Sequence, residues 1–170
     1  ILAKVKAWEK TILDDSAEFG EAYQTILIAA ARQVLAAHKL VRNKDGELLY
    51  MSKECHSNGC INTVDVSYPA MPMYLLYAPE LVKAMLVGIF EFANMPLWTA
   101  DFAPHDIGRY PLADGQVYAL NVHNHLLPHS YTYRKVYKSN KFGMYMPQFQ
   151  MPVEECGNMI ILVSAICKAD

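Results

Sequence analysis

Residues 151–167 read MPVEECGNMIILVSAIC, in which two adjacent acids precede a long apolar run. Pro152 suits the first turn of a helix, because an N–H group at that position has no partner within the helix. Acidic side chains in the same turn are stabilised by the positive end of the helix dipole. The stretch therefore predicts a helix that begins at the paired glutamates, Glu154 and Glu155.

Successive residues of an α-helix point about 100° apart, so Glu154 and Glu155 cannot both face one pocket. We expect one carboxylate to cap the helix or face solvent and the other to point inward. Of the two, we assign Glu154 to the candidate site.

The spacing of apolar residues predicts that most of the remaining chain is helical as well. The predicted helices cover residues 1–19, 21–40 and 79–95, with Gly20 between the first two and Pro79 at the start of the third. Turn residues at 43–46, between two arms of alternating polarity, predict a small β-hairpin. We interpret the apolar stretch 70–77 as broken by Pro72.

Residues 96–150 show no sustained periodicity and are rich in Tyr, His, Asn and Pro. Long irregular segments of this kind often carry functional sites. Paired helices with long polar loops are typical of (α/α) six-hairpin toroids, which need roughly twelve helices of about a dozen residues each. The sequence therefore predicts a mainly α fold, an arc of an (α/α) six-hairpin-toroid-like domain with a small β-hairpin and long loops. We expect residues 1–170 to form a single domain that is a fragment of a longer multidomain protein.

Composition and charge argue against several classes of protein. The 15 basic and 17 acidic residues are interspersed and give a net charge of −2, so we expect no binding to nucleic acid or to a membrane. The longest apolar stretches, residues 85–92 and 159–167, are too short to span a bilayer. Cys55 and Cys60 could close a small loop as a disulfide or remain free thiols.

We expect no cofactor and no bound metal. The metal candidate in the sequence is the group His123, His125 and His129 in VHNHLLPHS, because alternating histidines on an extended segment can chelate a cation. Since no cysteine or acid stands nearby at ligand spacing, we interpret them as surface histidines of a polar loop.

Five blocks of the sequence occur in an order that resembles the glutaminase A family. They include SKECHSNG, NTVDVSYP, APHDIGRYP and MPVEECGNM, and they lie at residues 30–41, 52–59, 62–69, 103–111 and 151–159. The resemblance covers nearly the whole chain, and its main departure is the aromatic and histidine-rich stretch at 117–149. It implies a secreted or periplasmic, multidomain hydrolase that acts on glutamine or a related amide.

The blocks NTVDV and PHDIG are also similar to blocks of the glucosylceramidase-like glycosidases, which use a six-hairpin toroid. In those enzymes the nucleophilic glutamate lies shortly before the first of these blocks. The corresponding position in this chain falls near Ser57, with Glu54 a few residues earlier. This likeness implies a shared scaffold and leaves the chemistry open.

The matched blocks contain the residue types that hydrolysis of amides or glycosides requires, a proton donor and a group that activates water. The candidate catalytic residues are Asp106, Glu154 and Asp65. The candidates for substrate binding are His105, Asp101, Lys53, Glu54, Tyr68 and Asn158. The structural alternatives are that Asp106 caps a turn, that His105 hydrogen-bonds to the backbone, and that Asp65 is a buried hydrogen-bonding group.

Two further alternatives concern residues 53–57. Lys53 and Glu54 could form a solvated surface pair. Cys55 or Ser57 beside His56 could instead form a nucleophile–base pair suited to an amidase.

Three functions are therefore open: a glutaminase-type amide hydrolase, a glycosidase-like domain acting on carbohydrate, and a non-catalytic helical module that completes the pocket of a parent enzyme. The two enzyme hypotheses predict clustered carboxylates with raised pKa values in a concave pocket. The module hypothesis predicts acids held in salt bridges and an exposed apolar face for docking. The expected partners are a small-molecule substrate, either an amino-acid amide or a sugar, and the remaining domains of the parent chain, with a homo-oligomer as an open alternative.

Overall fold

A computed structural model describes residues 1–95, 98, 100–113 and 151–169 of the chain. Its elements are α1 (Leu2–Asp15), α2 (Glu21–Ala37), β1 (His38–Arg42), β2 (Leu48–Ser52), α3 (Val64–Tyr77), α4 (Pro79–Ala93) and α5 (Pro152–Ala169). The protein is mainly helical with one small antiparallel sheet, as the sequence predicts. The chain divides into two compact units, Ile1–Ala37 and His38–Asp170.

The first unit is a pair of helices, α1 and α2, joined by a short 3-10 turn. Gly20 ends this turn with a φ of 83°, a left-handed conformation that glycine adopts without a steric penalty from Cβ. Helix α1 ends at Asp15, four residues before the predicted helix at 1–19 does, and Gly20 separates the 3-10 turn from α2. An ion pair of 2.5 Å between Arg32 and Glu9 joins α2 to α1.

The second unit begins with the predicted hairpin, in which β1 and β2 pair antiparallel with His38 opposite Ser52. The side chain of Asn43 shapes the turn, because its Oδ1 accepts hydrogen bonds from the backbone N–H groups of Asp45 and Glu47 at 3.0 and 2.9 Å. The predicted helix over residues 21–40 ends at Ala37 instead, since the following residues join the sheet.

Helix α3 corrects the interpretation of the apolar stretch 70–77 as broken. It runs unbroken through Pro69 and Pro72, although each proline lacks the N–H group that a helix interior uses. The residues buried along α3 are Val64, Ser67, Ala70, Met71 and Tyr74, and the helix packs against α4, α5 and β2. Tertiary burial on several sides of a helix outweighs its local propensity, which explains why the prolines do not end it.

The core of the second unit lies between α4, α5, α3 and β2. Val82, Met85 and Ile89 of α4 and Leu162 of α5 are almost fully buried within it. Helix α4 confirms the predicted helix at 79–95, and α5 confirms the predicted helix at the paired glutamates, although α5 begins at Pro152; each has its proline in the first turn. None of the helices described is both long enough and apolar enough to cross a membrane.

The four cysteines are free thiols, and Cys55 is exposed whereas Cys60 is buried. Of the two alternatives for Cys55 and Cys60, the structure therefore contains the pair of free thiols.

Gly88 in α4 allows a close approach of the segment that leads into α3. A Cβ atom at Gly88 would lie 2.7 Å from Oδ1 of the buried Asn62, whose Nδ2 donates a 2.9 Å hydrogen bond to the carbonyl of Met85. Asn62 itself has a φ of 57°, so its backbone has little freedom to retreat. This contact fixes the end of the loop that precedes α3 against the middle of α4.

Replacing Gly88 by alanine is therefore expected to lower the free energy of unfolding by about 1–3 kcal/mol, the usual effect of overpacking a core. Gly157 in α5 is the matched control, because among the described residues no atom outside its own stretch of helix lies within 4 Å of a Cβ built there. Gly157→Ala should raise the free energy of unfolding by about 0.5–1 kcal/mol through helix propensity. Urea unfolding of the two variants measures both changes, and a stable Gly88→Ala protein would contradict the tight packing.

Candidate active site

Two extended segments, residues 59–62 and 107–110, pair with each other and bring the candidate residues together. Hydrogen bonds run from the N–H of Ile61 to the carbonyl of Gly108 at 2.7 Å and from the N–H of Ile107 to the carbonyl of Ile61 at 3.1 Å. The N–H of Val64, at the start of α3, donates to the carbonyl of His105 at 3.0 Å. The loop that carries His105 and Asp106 is thereby held against the N-terminus of α3.

His105 and Asp106 form a buried, hydrogen-bonded pair. His105 Nδ1 lies 2.6 Å from Asp106 Oδ2, and Asp106 Oδ1 accepts the N–H of Gly108 at 2.7 Å. Since an ionised carboxylate only accepts hydrogen bonds, Nδ1 carries the proton and Nε2 faces away from Asp106. Burial and the charge of Asp106 raise the pKa of the Cys60 thiol, so that Cys60 stays protonated beside this carboxylate.

The opposite edge of the imidazole faces two carboxylates. His105 Nε2 lies 3.9 Å from Oδ2 of Asp65, in the first turn of α3, and 3.8 Å from Oε1 of Glu155, in the first turn of α5. One ligand atom from each of the three residues falls within 4.8 Å of the other two. We call Asp65, His105 and Glu155 the trio.

Burial shifts the protonation of the trio. It raises the pKa of Glu155 to about 8 and raises the pKa of Asp65 above its usual range. For His105 burial acts to lower the pKa, but the hydrogen bond and charge of Asp106 outweigh it and raise the pKa to about 9. A positively charged His105 between the two carboxylates is therefore favoured. Side chains with strongly shifted pKa values are concentrated at functional sites.

The trio also has unused hydrogen-bonding capacity. Glu155 is fully buried, and its Oε1 has no hydrogen-bond partner among the residues that the structure describes, nor does Oδ1 of Asp65. Oε2 of Glu155 receives only a long contact of 3.5 Å from Asn158 Nδ2. The side chain of Asp65 is 29% exposed, whereas those of His105 and Glu155 are buried.

The structure places Glu155 in the trio, whereas the sequence-based prediction assigns Glu154 to the site. Glu154 is exposed at the start of α5, whereas Glu155 belongs to the helix face that packs against α3. The buried residues of α5 are Glu155, Asn158, Met159, Leu162 and Ile166, a helical spacing of three, four and seven residues from Glu155. This spacing can be read from the sequence, and it indicates that Glu155 is the acid that faces inward.

Of the other predicted residues, Tyr68 lies half-buried one turn along α3 from Asp65, and Asn158 is buried one turn along α5 from Glu155. Burial is the larger cause of the raised pKa of Asp65, but Glu54 and Glu154 lie close enough for their charges to raise it as well. Lys53 instead places its ammonium over the ring of Tyr110, 5.8 Å from its centroid. Asp101 is exposed and contributes no atom to the trio.

The alternative nucleophile–base pair receives no support from the contacts of residues 55–57. The thiol of Cys55 donates to the carbonyl of Lys53 at 3.3 Å, and the hydroxyl of Ser57 donates to the carboxylate of Glu54. The histidine group at 123, 125 and 129 lies outside the described residues, so its interpretation stays a prediction.

The fold and the site together define a helical-hairpin domain. In it, the N-termini of two helices and the loop that carries His105 bring two acids and an imidazole close together. The chain belongs to the glutaminase A six helical-hairpin domain family, whose family model matches residues 20–170. This confirms the resemblance in the sequence and the predicted fold class.

Two relatives are similar over most of the chain. Glutaminase A of Aspergillus oryzae is 35% identical over 147 residues, which cover 86% of this chain and 17% of that protein. A protein of Arthroderma benhamiae named "Probable glutaminase" is 29% identical over 143 residues, 84% of this chain and 13% of that protein. The chain therefore spans only a small part of the length of these relatives. No solved structure matches it.

Proposed function

We propose that the chain is a hydrolase domain of the glutaminase A type, which hydrolyses the side-chain amide of glutamine or of a related compound at the trio. The observation that carries the proposal is the convergence of Asp65, His105 and Glu155 within 4.8 Å of one another. The family supplies the substrate class, since the relatives of this chain are named for glutamine hydrolysis.

Amide hydrolysis forms a bond between a water oxygen and the carbonyl carbon and breaks the bond from that carbon to nitrogen. A proton leaves the water, and a proton reaches the departing nitrogen, which becomes ammonia. Groups that activate water and carry protons must therefore lie within one small volume. The trio provides them, with Asp65 on the solvent side and His105 and Glu155 as a buried floor.

Observations also bear on the non-catalytic module. Asp65 and Glu155 each form an ion pair with His105, at 3.9 and 3.8 Å, and this contact agrees with the module hypothesis as well as with a catalytic trio. Apolar side chains are also exposed on α4 and α5, with Phe90 at 42% and Ile160 at 69%. An apolar face of this kind suits packing against further domains, and such packing is compatible with a catalytic trio.

The test is a hydrolysis assay of the 170-residue chain and of the complete gene product, with glutamine and a panel of glycosides. Asp65→Asn is expected to lower glutamine turnover by about 10²-fold, the usual effect of removing a group that transfers protons. The exposed Asp101→Asn serves as the control and should retain turnover. Turnover of glycosides but not of glutamine would favour the carbohydrate alternative. Glutamine turnover that survives Asp65→Asn would exclude the trio as the site.

A further inference from the structure

We propose that Asp65, His105 and Glu155 bind a divalent first-row metal cation of the Zn²⁺ or Mn²⁺ type. A catalytic role for this cation rests on the proposed function, but the binding of the cation does not. The inference comes from the geometry of the trio, from the partner of His105 and from the unpaired oxygen of Glu155.

The separations within the trio suit an intervening ion better than direct hydrogen bonds. Nε2 of His105 is 3.9 and 3.8 Å from the nearest oxygens of Asp65 and Glu155, beyond the length of an N–H···O hydrogen bond. Zinc binds imidazole nitrogen and carboxylate oxygen at about 2.0–2.2 Å, so two ligands of one zinc ion lie roughly 3.3–3.8 Å apart. Small rotations of the side chains would bring the three atoms to these distances.

The hydrogen bond from His105 to Asp106 prepares the imidazole as a ligand. Histidines that bind metals donate their other ring N–H to a carboxylate or a carbonyl, which fixes the tautomer and raises the basicity of the ligating nitrogen. His105 has this arrangement, with Nδ1 2.6 Å from Asp106 Oδ2 and Nε2 directed at Asp65 and Glu155. The N–H of Gly108 in turn holds Asp106 in place at 2.7 Å.

The second, independent observation is Glu155. Its side chain is 0% exposed, and its Oε1, which is the oxygen that faces Nε2 of His105, has no hydrogen-bond partner among the described residues. Burial of an oxygen of this kind without a partner is costly, and a bound cation would remove the cost. Asp65 offers a second buried oxygen, Oδ1, with no hydrogen-bond partner in the described part of the chain, and its side chain as a whole is 29% exposed.

The donor set indicates which cation fits. One imidazole nitrogen with two carboxylate oxygens suits Zn²⁺ or Mn²⁺, and three protein ligands plus water is the arrangement of catalytic zinc sites. Calcium takes six to eight oxygen ligands, and Mg²⁺ keeps several waters and prefers oxygen, so both should bind more weakly.

The experiment titrates the chelator-treated 170-residue chain with Zn²⁺, Mn²⁺, Ca²⁺ and Mg²⁺ by calorimetry, with thermal unfolding as a second readout. We expect one equivalent of Zn²⁺ or Mn²⁺ per chain and a rise in the unfolding midpoint by mass action. Glu155→Gln should weaken the affinity by about 100-fold or more, and Asp106→Asn by about 10–100-fold. The exposed Glu154→Gln is the control and should bind as the wild type does.

A second variant covers the case that Glu155→Gln does not fold. Asp65→Asn changes a partly exposed ligand and should lose the same equivalent of cation. The proposal would be overturned if no equivalent of cation binds. It would also be overturned if binding survives the trio variants, because the cation would then lie at other histidines and cysteines.

The outcomes for the cation and for the activity are separable. Glutamine turnover that persists after complete removal of metal would refute a catalytic role for the cation and leave the hydrolase standing, whereas the titration alone decides whether the cation binds. A cation bound by the trio in a gene product that does not turn over glutamine would uphold the metal site and refute the proposed function.

Discussion

Replacing Glu155 by glutamine is expected to lower glutamine turnover by about 10²-fold or more, whereas replacing its neighbour Glu154 should change turnover less than about twofold. Glu155 is fully buried with its Oε1 3.8 Å from His105, and Glu154 faces solvent in the same turn of α5. Glutamine has nearly the shape of glutamate and keeps an oxygen acceptor, so the change removes the group that can bind and release a proton and leaves the packing.

The two variants make a matched pair above about pH 8, the pKa to which burial raises Glu155, because there each removes one negative charge from the first turn of α5. Their effects on the helix dipole should be similar, at about 0.3–1 kcal/mol of stability each. The measurement is kcat and KM for glutamine together with the unfolding midpoint of each protein. Equal losses of activity would show that charge at the helix start matters and that the buried position does not.

The helices were predictable because their signals are local. Gly20 has the left-handed backbone that its position suggests, and Pro79 and Pro152 lie in first turns as expected. Helix α3 was not predictable in the same way. Its prolines would break an isolated helix, and only packing against α4, α5 and β2 explains why the helix continues.

The site was predictable in part. The blocks that resemble the glutaminase A family contain Asp65, His105 and Asp106, and the structure brings these three side chains together. These side chains come together because the segments at 59–62 and 107–110 pair with each other. The pairing involves too few residues to leave a periodic pattern in the sequence.

The start of helix α5 does not by itself decide which of Glu154 and Glu155 faces inward. The helix dipole stabilises both carboxylates equally, so it cannot select one of them. The apolar stripe of α5 does select, because Leu162 lies two turns along the same face as Glu155 and is fully buried. The spacing of the buried residues along α5 therefore identifies the inward-facing acid better than the helix dipole does.

Asp106→Asn is expected to lower glutamine turnover by about 10²-fold or more while leaving the fold intact. Asp106 is a positioning residue, since its fully buried carboxylate holds Nδ1 of His105 and the N–H of Gly108. An asparagine can keep one acceptor for the N–H of Gly108, but its amide N–H₂ group then faces Nδ1 of His105. The ring would have to accept there and carry its proton on Nε2, towards Asp65 and Glu155. In the Ser-His-Asp triad the same exchange of aspartate for asparagine costs about 10⁴ in kcat through the wrong tautomer.

Two measurements separate this positioning role from a merely structural one. Nitrogen NMR shifts of the His105 ring should show Nδ1 protonated in the wild type and unprotonated in Asp106→Asn. Turnover should fall through kcat, with KM for glutamine little changed, because the substrate still reaches the exposed side of Asp65. Asp101→Asn, in the same loop but exposed, is the control and should alter neither quantity. If Asp106→Asn keeps Nδ1 protonated and still loses activity, Asp106 acts by a route other than the orientation of the imidazole.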